Sequence, residues 1–232
     1  MHTIERTLKS VKAAKSDEVE YIVVDGVSDD GTLEIMEKYS EMIDHFICEP
    51  DTGIYQAMNK GVAKAGGDFI LFINGDDELI PDGMKKVLDL LPLCREKVVC
   101  AATKVVGDEF NPTFSYIPDP SKLVYWDSIP HPSSFVKRDL LVQHPFREDL
   151  KIASDYDFFL KVFLLGVSFK TFPYQTALHY YGGISSNANK TKAEVDLIRK
   201  DHLGSWHAYG YSAILGIWRE ARKVIDRFLI KK

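Results

Sequence analysis

Two apolar runs in this chain end in acid. Residues 19–24 (Val-Glu-Tyr-Ile-Val-Val) lead into Asp25 and Gly26, and residues 69–73 (Phe-Ile-Leu-Phe-Ile) lead into Asn74, Gly75, Asp76 and Asp77. Carboxylates at one edge of a sheet suit a hard divalent cation, because Mg²⁺ and Mn²⁺ take oxygen ligands and are commonly shared between one or two carboxylates and substrate phosphates. A nucleoside diphosphate is the natural ligand of such a pair. Asp76 and Asp77 are adjacent and repel each other unless a cation or hydrogen-bond donors offset them. Asp29 and Asp30 stand in Ser28-Asp29-Asp30-Gly31-Thr32, where an acid reads equally well as a turn residue or helix cap. Asp155, after Ser154 at the head of an apolar helical segment, reads as an N-cap, a place that Ser154 could fill equally well.

Competing motifs fail letter by letter. The sequence holds no G-x-x-x-x-G-K-[ST] phosphate loop, no G-x-G-x-x-G after a strand and no H-E-x-x-H. Gly26-Val27-Ser28-Asp29-Asp30 departs from a nucleophile elbow at its last position, and Val27 stands where a calcium loop needs an oxygen ligand.

The elements that must position these acids follow from length and periodicity. The chain has 232 residues, 45% hydrophobic, with 29 Lys and Arg against 34 Asp and Glu. That length and apolar content suit one well-buried domain and exclude a disordered chain. The acidic balance argues against a nucleic-acid partner. No apolar run reaches bilayer-spanning length, Met1, His2, Thr3, Glu5 and Arg6 do not read as a secretory leader, and Cys48, Cys94 and Cys100 read as reduced thiols of a cytoplasmic protein. Apolar spacing predicts a first helix through Ile4, Leu8, Val11 and Ala14, then strands over 19–24, 45–48 and 69–73 alternating with helices over 33–39 and 54–65. This alternation implies a right-handed α/β layer structure with ligands at the carboxyl ends of the strands. Beyond Leu93 a strand over 98–102, an irregular proline-rich stretch to Pro132, a helix over 156–165, a strand over 169–172, a loop over 181–189 and a helical end are expected. The division is 1–93 as a nucleotide-binding half, 94–189 as an acceptor half of the same domain, and 190–232 as a helical extension.

Four segments, in order across roughly residues 3–185, resemble the inverting family-2 glycosyltransferases of the branch that builds bacterial surface polysaccharides. Val23-Val24-Asp25-Gly26-Val27-Ser28-Asp29-Asp30-Gly31-Thr32 looks like that family's V-V-D-[DG]-x-S-x-D-G-T segment, and Glu49-Pro50-Asp51-Thr52-Gly53-Ile54-Tyr55-Gln56-Ala57-Met58-Asn59-Lys60-Gly61 its E-P-D-x-G-[IL]-Y-D-A-M-N-K-G run. Phe72-Ile73-Asn74-Gly75-Asp76-Asp77 is similar to its F-L-N-x-D-D, and Ala153-Ser154-Asp155-Tyr156-Asp157-Phe158-Phe159-Leu160 to its [GA]-x-D-Y-D-[LF]-x-L. The resemblance implies a GT-A fold, Rossmann-like, with a mixed, mostly parallel sheet flanked by helices. It implies a sugar transferred from a nucleotide diphosphate donor, a UDP-sugar, to a glycan or lipid-linked acceptor, with Mn²⁺ or Mg²⁺ as cofactor. Asp25 would hydrogen-bond the pyrimidine base, with Ser28 beside it, Asp76 would lie near ribose and diphosphate, Asp77 would hold the metal, and Asp155 would be the general base. His131, followed by Pro132 where relatives often read Gln, could lie near the diphosphate or acceptor or be structural or merely solvated, and His179, before a loop that in relatives closes over the nucleotide, could be a further metal ligand.

Other positions carry a second reading. Asp51, Tyr55 and Asn59 recur at one helical turn and could line the donor pocket, or Tyr55 and Met58 could simply pack their helix on the sheet. Trp126 and Tyr125 could stack on an acceptor sugar or belong to the rim. Relatives in the resembled family begin with an apolar strand before the first helix, and no such strand precedes His2-Thr3-Ile4 here. The expectation is weakened donor binding, with a catalytically impaired nucleotide- or glycan-binding module as the alternative function. Residues 212–232 carry six basic residues against two acidic ones at amphipathic spacing, so a peripheral contact on the inner membrane face and a homodimer helix are both expectations for this tail.

Overall fold

A computed structural model describes residues 2–109, 111–182 and 188–204. In chain order the elements are α1 (His2–Ala14), β1 (Ile22–Asp25), α2 (Thr32–Glu37), β2 (His45–Cys48), α3 (Ile54–Lys64), β3 (Phe69–Ile70), β4 (Glu78–Leu79), α4 (Pro81–Leu90), β5 (Val98–Val106), β6 (Phe114–Tyr116), β7 (Ser134–Lys137), α5 (Arg138–Gln143), α6 (Ser154–Leu164), β8 (Phe169–Tyr180) and α7 (Ala188–Leu203). The helices expected over 33–39, 54–65 and 156–165 form within a few residues of those limits. The tail 212–232, and most of the loop expected over 181–189, lie outside the described residues. None of the described helices is long and apolar enough to cross a membrane.

The strands fall into two sheets, a parallel pair β1-β2 and a six-stranded sheet ordered β3-β7-β5-β8-β4 with β6 on β5. β5 is its spine because both its faces are covered, and alternation sorts the side chains. Val98 and Cys100 enter the core under α3, α5 and α6, while Val99 and Ala101 enter the core under α4. A strand buried on both faces reads as a continuous apolar run, which is how residues 98–102 stand out in the sequence.

The sheet is mixed and flanked by helices, as expected, but parallel pairing does not dominate it. Among the described pairs, β1-β2 and β5-β8 are parallel, whereas β3-β7, β4-β8, β5-β6 and β5-β7 are antiparallel. Only β5-β6 is a local pair, joined through residues 107–113, as a short connection requires; the other antiparallel pairs join strands remote in the chain. Two strands also differ in extent. The run over 69–73 pairs only at Phe69 and Ile70, against Lys137 and Val136, while β8 runs twelve residues, past the expected 169–172, because its second half continues along β5 to the pair Val106–Tyr180.

α4 crosses β8 closely. Pro81 starts the helix, where its missing N–H costs nothing. One turn in, a Cβ added at Gly83 would sit 1.7 Å from the Gln175 carbonyl oxygen. The neighbour is backbone, so α4 and β8 would have to move apart. Gly83→Ala is expected to destabilise the protein by about 1–3 kcal/mol through overpacking, read as a fall in thermal midpoint of roughly 2–4 °C per kcal/mol. An unchanged melting curve would contradict this packing.

Candidate active site

One cavity of about 1450 Å³ collects the carboxyl ends of β1 and β3, the start of α6 and the far end of β8, with Asp25, Asn74, Asp76, His131, Asp155 and His179 in its wall. The acidic turn after residue 73 is held from behind by α1, whose polar residues recur at helical spacing. The Arg6 guanidinium donates to the Asp76 carbonyl at 2.9 Å, lies 2.8 Å from Glu78 Oε1 and stacks 3.6 Å from the Tyr180 ring centroid. The Thr7 hydroxyl donates to the Asp77 carbonyl at 2.6 Å, and Ser10 Oγ accepts the Leu79 N–H at 2.9 Å. Sequence reading passes over these three residues, since an amphipathic helix gives no sign of which loop its polar edge will meet.

Asp77 is fully buried. Its Oδ1 lies 2.8 Å from His179 Nδ1, and its Oδ2 has no hydrogen-bond partner. A histidine fixed through one ring nitrogen by a carboxylate presents the other outward, which is the usual way a protein orients an imidazole ligand. His179 lines the cavity and Asp77 stands behind it.

At the end of β1, the Asp25 carboxylate folds back on its own turn. Oδ1 accepts the Ser28 N–H at 2.7 Å and Oδ2 the Ser28 hydroxyl at 2.8 Å. Ser28 thus fixes Asp25 rather than standing apart from it. Val27 between them has φ 70°, a left-handed conformation costly for a β-branched residue. A Cβ at Gly26 would lie 2.7 Å from Asp51 Oδ2, so a larger residue there would push the Asp51 carboxylate aside.

His131 joins the two halves of the cleft. Its Nε2 lies 3.3 Å from Asn74 Nδ2 and its Nδ1 3.0 Å from Asp155 Oδ2. Asp155 Oδ1 accepts the Tyr55 hydroxyl and the Tyr156 N–H, each at 3.0 Å. Burial by itself would lower the His131 pKa, but the hydrogen bond and charge of Asp155, with Asp77 and Asp127 further off, outweigh it and raise the value. Burial would likewise raise Asp155, and His131, the Tyr156 N–H and the Tyr55 hydroxyl reverse this and lower it. Each member of the pair thus favours the charged form of the other. Asp127, absent from the sequence reading, also lines the cavity. It is reachable by solvent yet surrounded by the cleft, and burial together with the Asp155 charge pushes it up to about 7.

The remaining expected residues sit elsewhere. The Tyr55 ring packs on Phe146, 5.7 Å between centroids, while its hydroxyl reaches the Ile152 carbonyl and Asp155. Both sequence readings of Tyr55, packing and site, hold at once. Asn59 is turned to Phe146, exchanging hydrogen bonds with its N–H and carbonyl at 3.0 and 2.9 Å, and to Glu148. Asp51 caps its own turn through the Gly53 N–H at 2.9 Å. Neither borders the cavity. Trp126 is 39% exposed with Lys122 over its ring, one residue before the cavity-lining Asp127.

The mixed sheet flanked by helices is the GT-A class of α/β fold. The solved structure of TarS residues 1–349 of S. aureus superposes with a TM-score of 0.66 at 22% identity, over 84% of this chain and 60% of that one. TarS crystallised with UDP-GlcNAc gives 0.66 at 20% identity, over 86% and 67%. The chain belongs to the family described as Glycosyl transferase family 2, which its residues 2–144 match. An uncharacterized glycosyltransferase of Mycobacterium tuberculosis strain H37Rv is 34% identical over 90 residues, 38% of this chain and 34% of that protein. TuaG of Bacillus subtilis strain 168, named for teichuronic acid biosynthesis, is 29% identical over 130 residues, 54% of this chain and 51% of TuaG. The aligned stretches thus span between a third and a half of these two relatives.

The His131–Asp155 pair makes stability depend on pH. The imidazolium contributes fully below the ordinary histidine value of about 6.5 and its contribution is lost as pH rises through the raised folded value; the carboxylate contributes above about 3.9 and is lost as pH falls through its lowered value. His131→Gln is expected to cost about 1–3 kcal/mol near pH 5.5 and clearly less at pH 9. Denaturant melts of both proteins at the two pH values check this, and an equal difference at both would mean that His131 is neutral.

Proposed function

We propose that the protein is an inverting glycosyltransferase that moves a sugar from a UDP-sugar to a glycan or lipid-linked acceptor in bacterial surface polysaccharide synthesis. The observation that carries this reading is the convergence of Asp25, Asp76, His179 and Asp155 on one cavity. TarS binds UDP-GlcNAc in its solved complex and TuaG bears teichuronic acid biosynthesis in its name, which supports the donor and the product class.

An inverting transfer is an in-line displacement at the anomeric carbon, so one base must take the acceptor hydroxyl's proton as the new bond forms. Asp155 is ionised and held by three donors. A carboxylate offers about four lone-pair sites, which leaves one for the acceptor hydroxyl. His131 and Tyr55 set its orientation. On this reading Asp25, fixed by Ser28, receives an N–H of the base, and Asp76 serves the diphosphate.

The described residues include no group of three or more His, Cys, Asp or Glu that could cage a metal. They do fit a cation that draws most of its ligands from diphosphate and water, as Mg²⁺ and Mn²⁺ commonly do. The partnerless Asp77 Oδ2 and the outward nitrogen of His179 point to that fit, with Asp76 beside them. Such a cation supplies charge to stabilise the departing diphosphate.

A second reading, a nucleotide- or glycan-binding module with impaired catalysis, is favoured by the break between the two sheets beside Asp25. Turnover separates the two. Asp155→Asn is expected to leave UDP binding within a few-fold and to lower UDP-GlcNAc hydrolysis or transfer by about 10²–10⁴-fold. Calorimetry and product release measure the two quantities. UDP binding by the native chain with no turnover of any UDP-sugar would favour the module.

A further inference from the structure

The segment that leads into α6 is gripped from two sides. From α3, the Tyr55 hydroxyl is shared between the Ile152 carbonyl at 2.7 Å and Asp155 Oδ1 at 3.0 Å, and the Asn59 side chain holds Phe146 at its N–H and its carbonyl. From α7, one carboxylate takes three consecutive backbone N–H groups. Glu194 Oε1 accepts from Lys151 at 2.9 Å, and Oε2 accepts from Ile152 at 2.8 Å and from Ala153 at 3.0 Å.

Successive N–H groups turned to one point form a concavity for an anion, and hydrogen bonds to a charged acceptor are about twice as strong as neutral ones. Here the anion belongs to the chain itself. Ala153, the N-cap residue of α6, makes no side-chain cap hydrogen bond, so the entry to the helix is fixed from outside. The Ile152 peptide links is held at both of its polar ends, its N–H by Glu194 and its carbonyl by the same Tyr55 hydroxyl that meets Asp155. Glu194 thus stands a single residue away from the hydrogen bond that orients the Asp155 carboxylate.

Further along, α7 is fastened to α6 by contacts that leave residues 151–153 alone. Arg199 Nε donates to the Tyr156 hydroxyl oxygen at 3.2 Å, its guanidinium reaches the Tyr125 carbonyl, and His202 Nε2 lies 2.9 Å from Asp157 Oδ1. Thr191 and Val195, to either side of Glu194 on the helix, line the same cavity as Asp155.

We propose that Glu194 is a positioning residue for Asp155: through the backbone of residues 151–153 it fixes the head of α6 and so the direction in which the carboxylate meets the acceptor hydroxyl. This role rests on the proposed transfer reaction. Glu194 acts on the base and not on the UDP end of the cleft, so its loss falls on the chemical step. A reacting group misplaced by about 1 Å costs on the order of 10²-fold in rate.

The test measures, in the full chain, kcat with the UDP-sugar that the native protein turns over (UDP-GlcNAc first), UDP affinity by calorimetry and the thermal midpoint. Glu194→Ala is expected to lower kcat by about 10–100-fold with UDP affinity within about twofold of native. Glu194→Gln keeps an oxygen for the Ile152 and Ala153 N–H groups and is expected to turn over at least about threefold faster than Glu194→Ala. His202→Ala loosens the same helix two turns on; it is expected to lower the midpoint by about 2–4 °C and to keep kcat within about twofold of native. Native kcat in Glu194→Ala would overturn the proposal, as would a loss that His202→Ala reproduces or that Glu194→Gln does not relieve. If Glu194→Ala does not fold, Glu194→Gln decides: lowered kcat with UDP affinity kept supports the role, and native kcat overturns it. Turnover lost in Asp155→Asn but kept in Glu194→Ala overturns this role alone, whereas UDP binding by the native chain with no turnover of any UDP-sugar overturns the transferase reading and the role with it.

Discussion

Several carboxylates share one largely apolar cleft, and the rest of the structure answers that concentration of charge. Asp25, Asp76, Asp77, Asp127 and Asp155 stand within the same part of the fold, and four of them are compensated in different ways. Asp25 is bound by Ser28, Asp77 by His179, Asp155 by His131, Tyr55 and the Tyr156 N–H, while Asp127 titrates upward instead. A buried acid without such donors would protonate or destabilise the fold. Asp77 Oδ2, buried and without a partner, is therefore the most informative atom in the site.

The compensating groups also fasten the architecture. His131 comes from the segment before β7 and reaches both the acidic turn after β3 and the head of α6. His179 ties β8 to the same turn, and Arg6 and Thr7 tie it to α1. Three elements distant in sequence, the segment before β7, β8 and α1, thus meet on residues 74–78. This gives the turn a rigid setting although it makes few hydrogen bonds of its own, and it couples site electrostatics to overall stability, since loosening any of these contacts exposes a charge.

The break between β1 and β3 lies beside this setting. The run over 69–73 is as apolar as any in the chain, yet it pairs over only two residues. Apolar character records that both faces are covered by helices, and they are. Pairing depends on a neighbour along the edge, which composition does not report.

Residue type and spacing alone determined the family motifs, the alternation of strand and helix through residue 93, the double burial of residues 98–102 and the acids at strand ends. These are local or periodic properties, written in windows of a few residues. Tertiary structure decided which acids face the cavity and which, like Asp51, serve their own turns. It gave Asn59 to Phe146, made both readings of Tyr55 true, set His179 in front of Asp77 and recruited Arg6 and Asp127. The antiparallel share of the sheet and the length of β8 were likewise settled by partners remote in the chain. A side chain's role in a cleft depends on what stands opposite it, and only the folded chain brings residues as far apart as Asp77 and His179 within 2.8 Å.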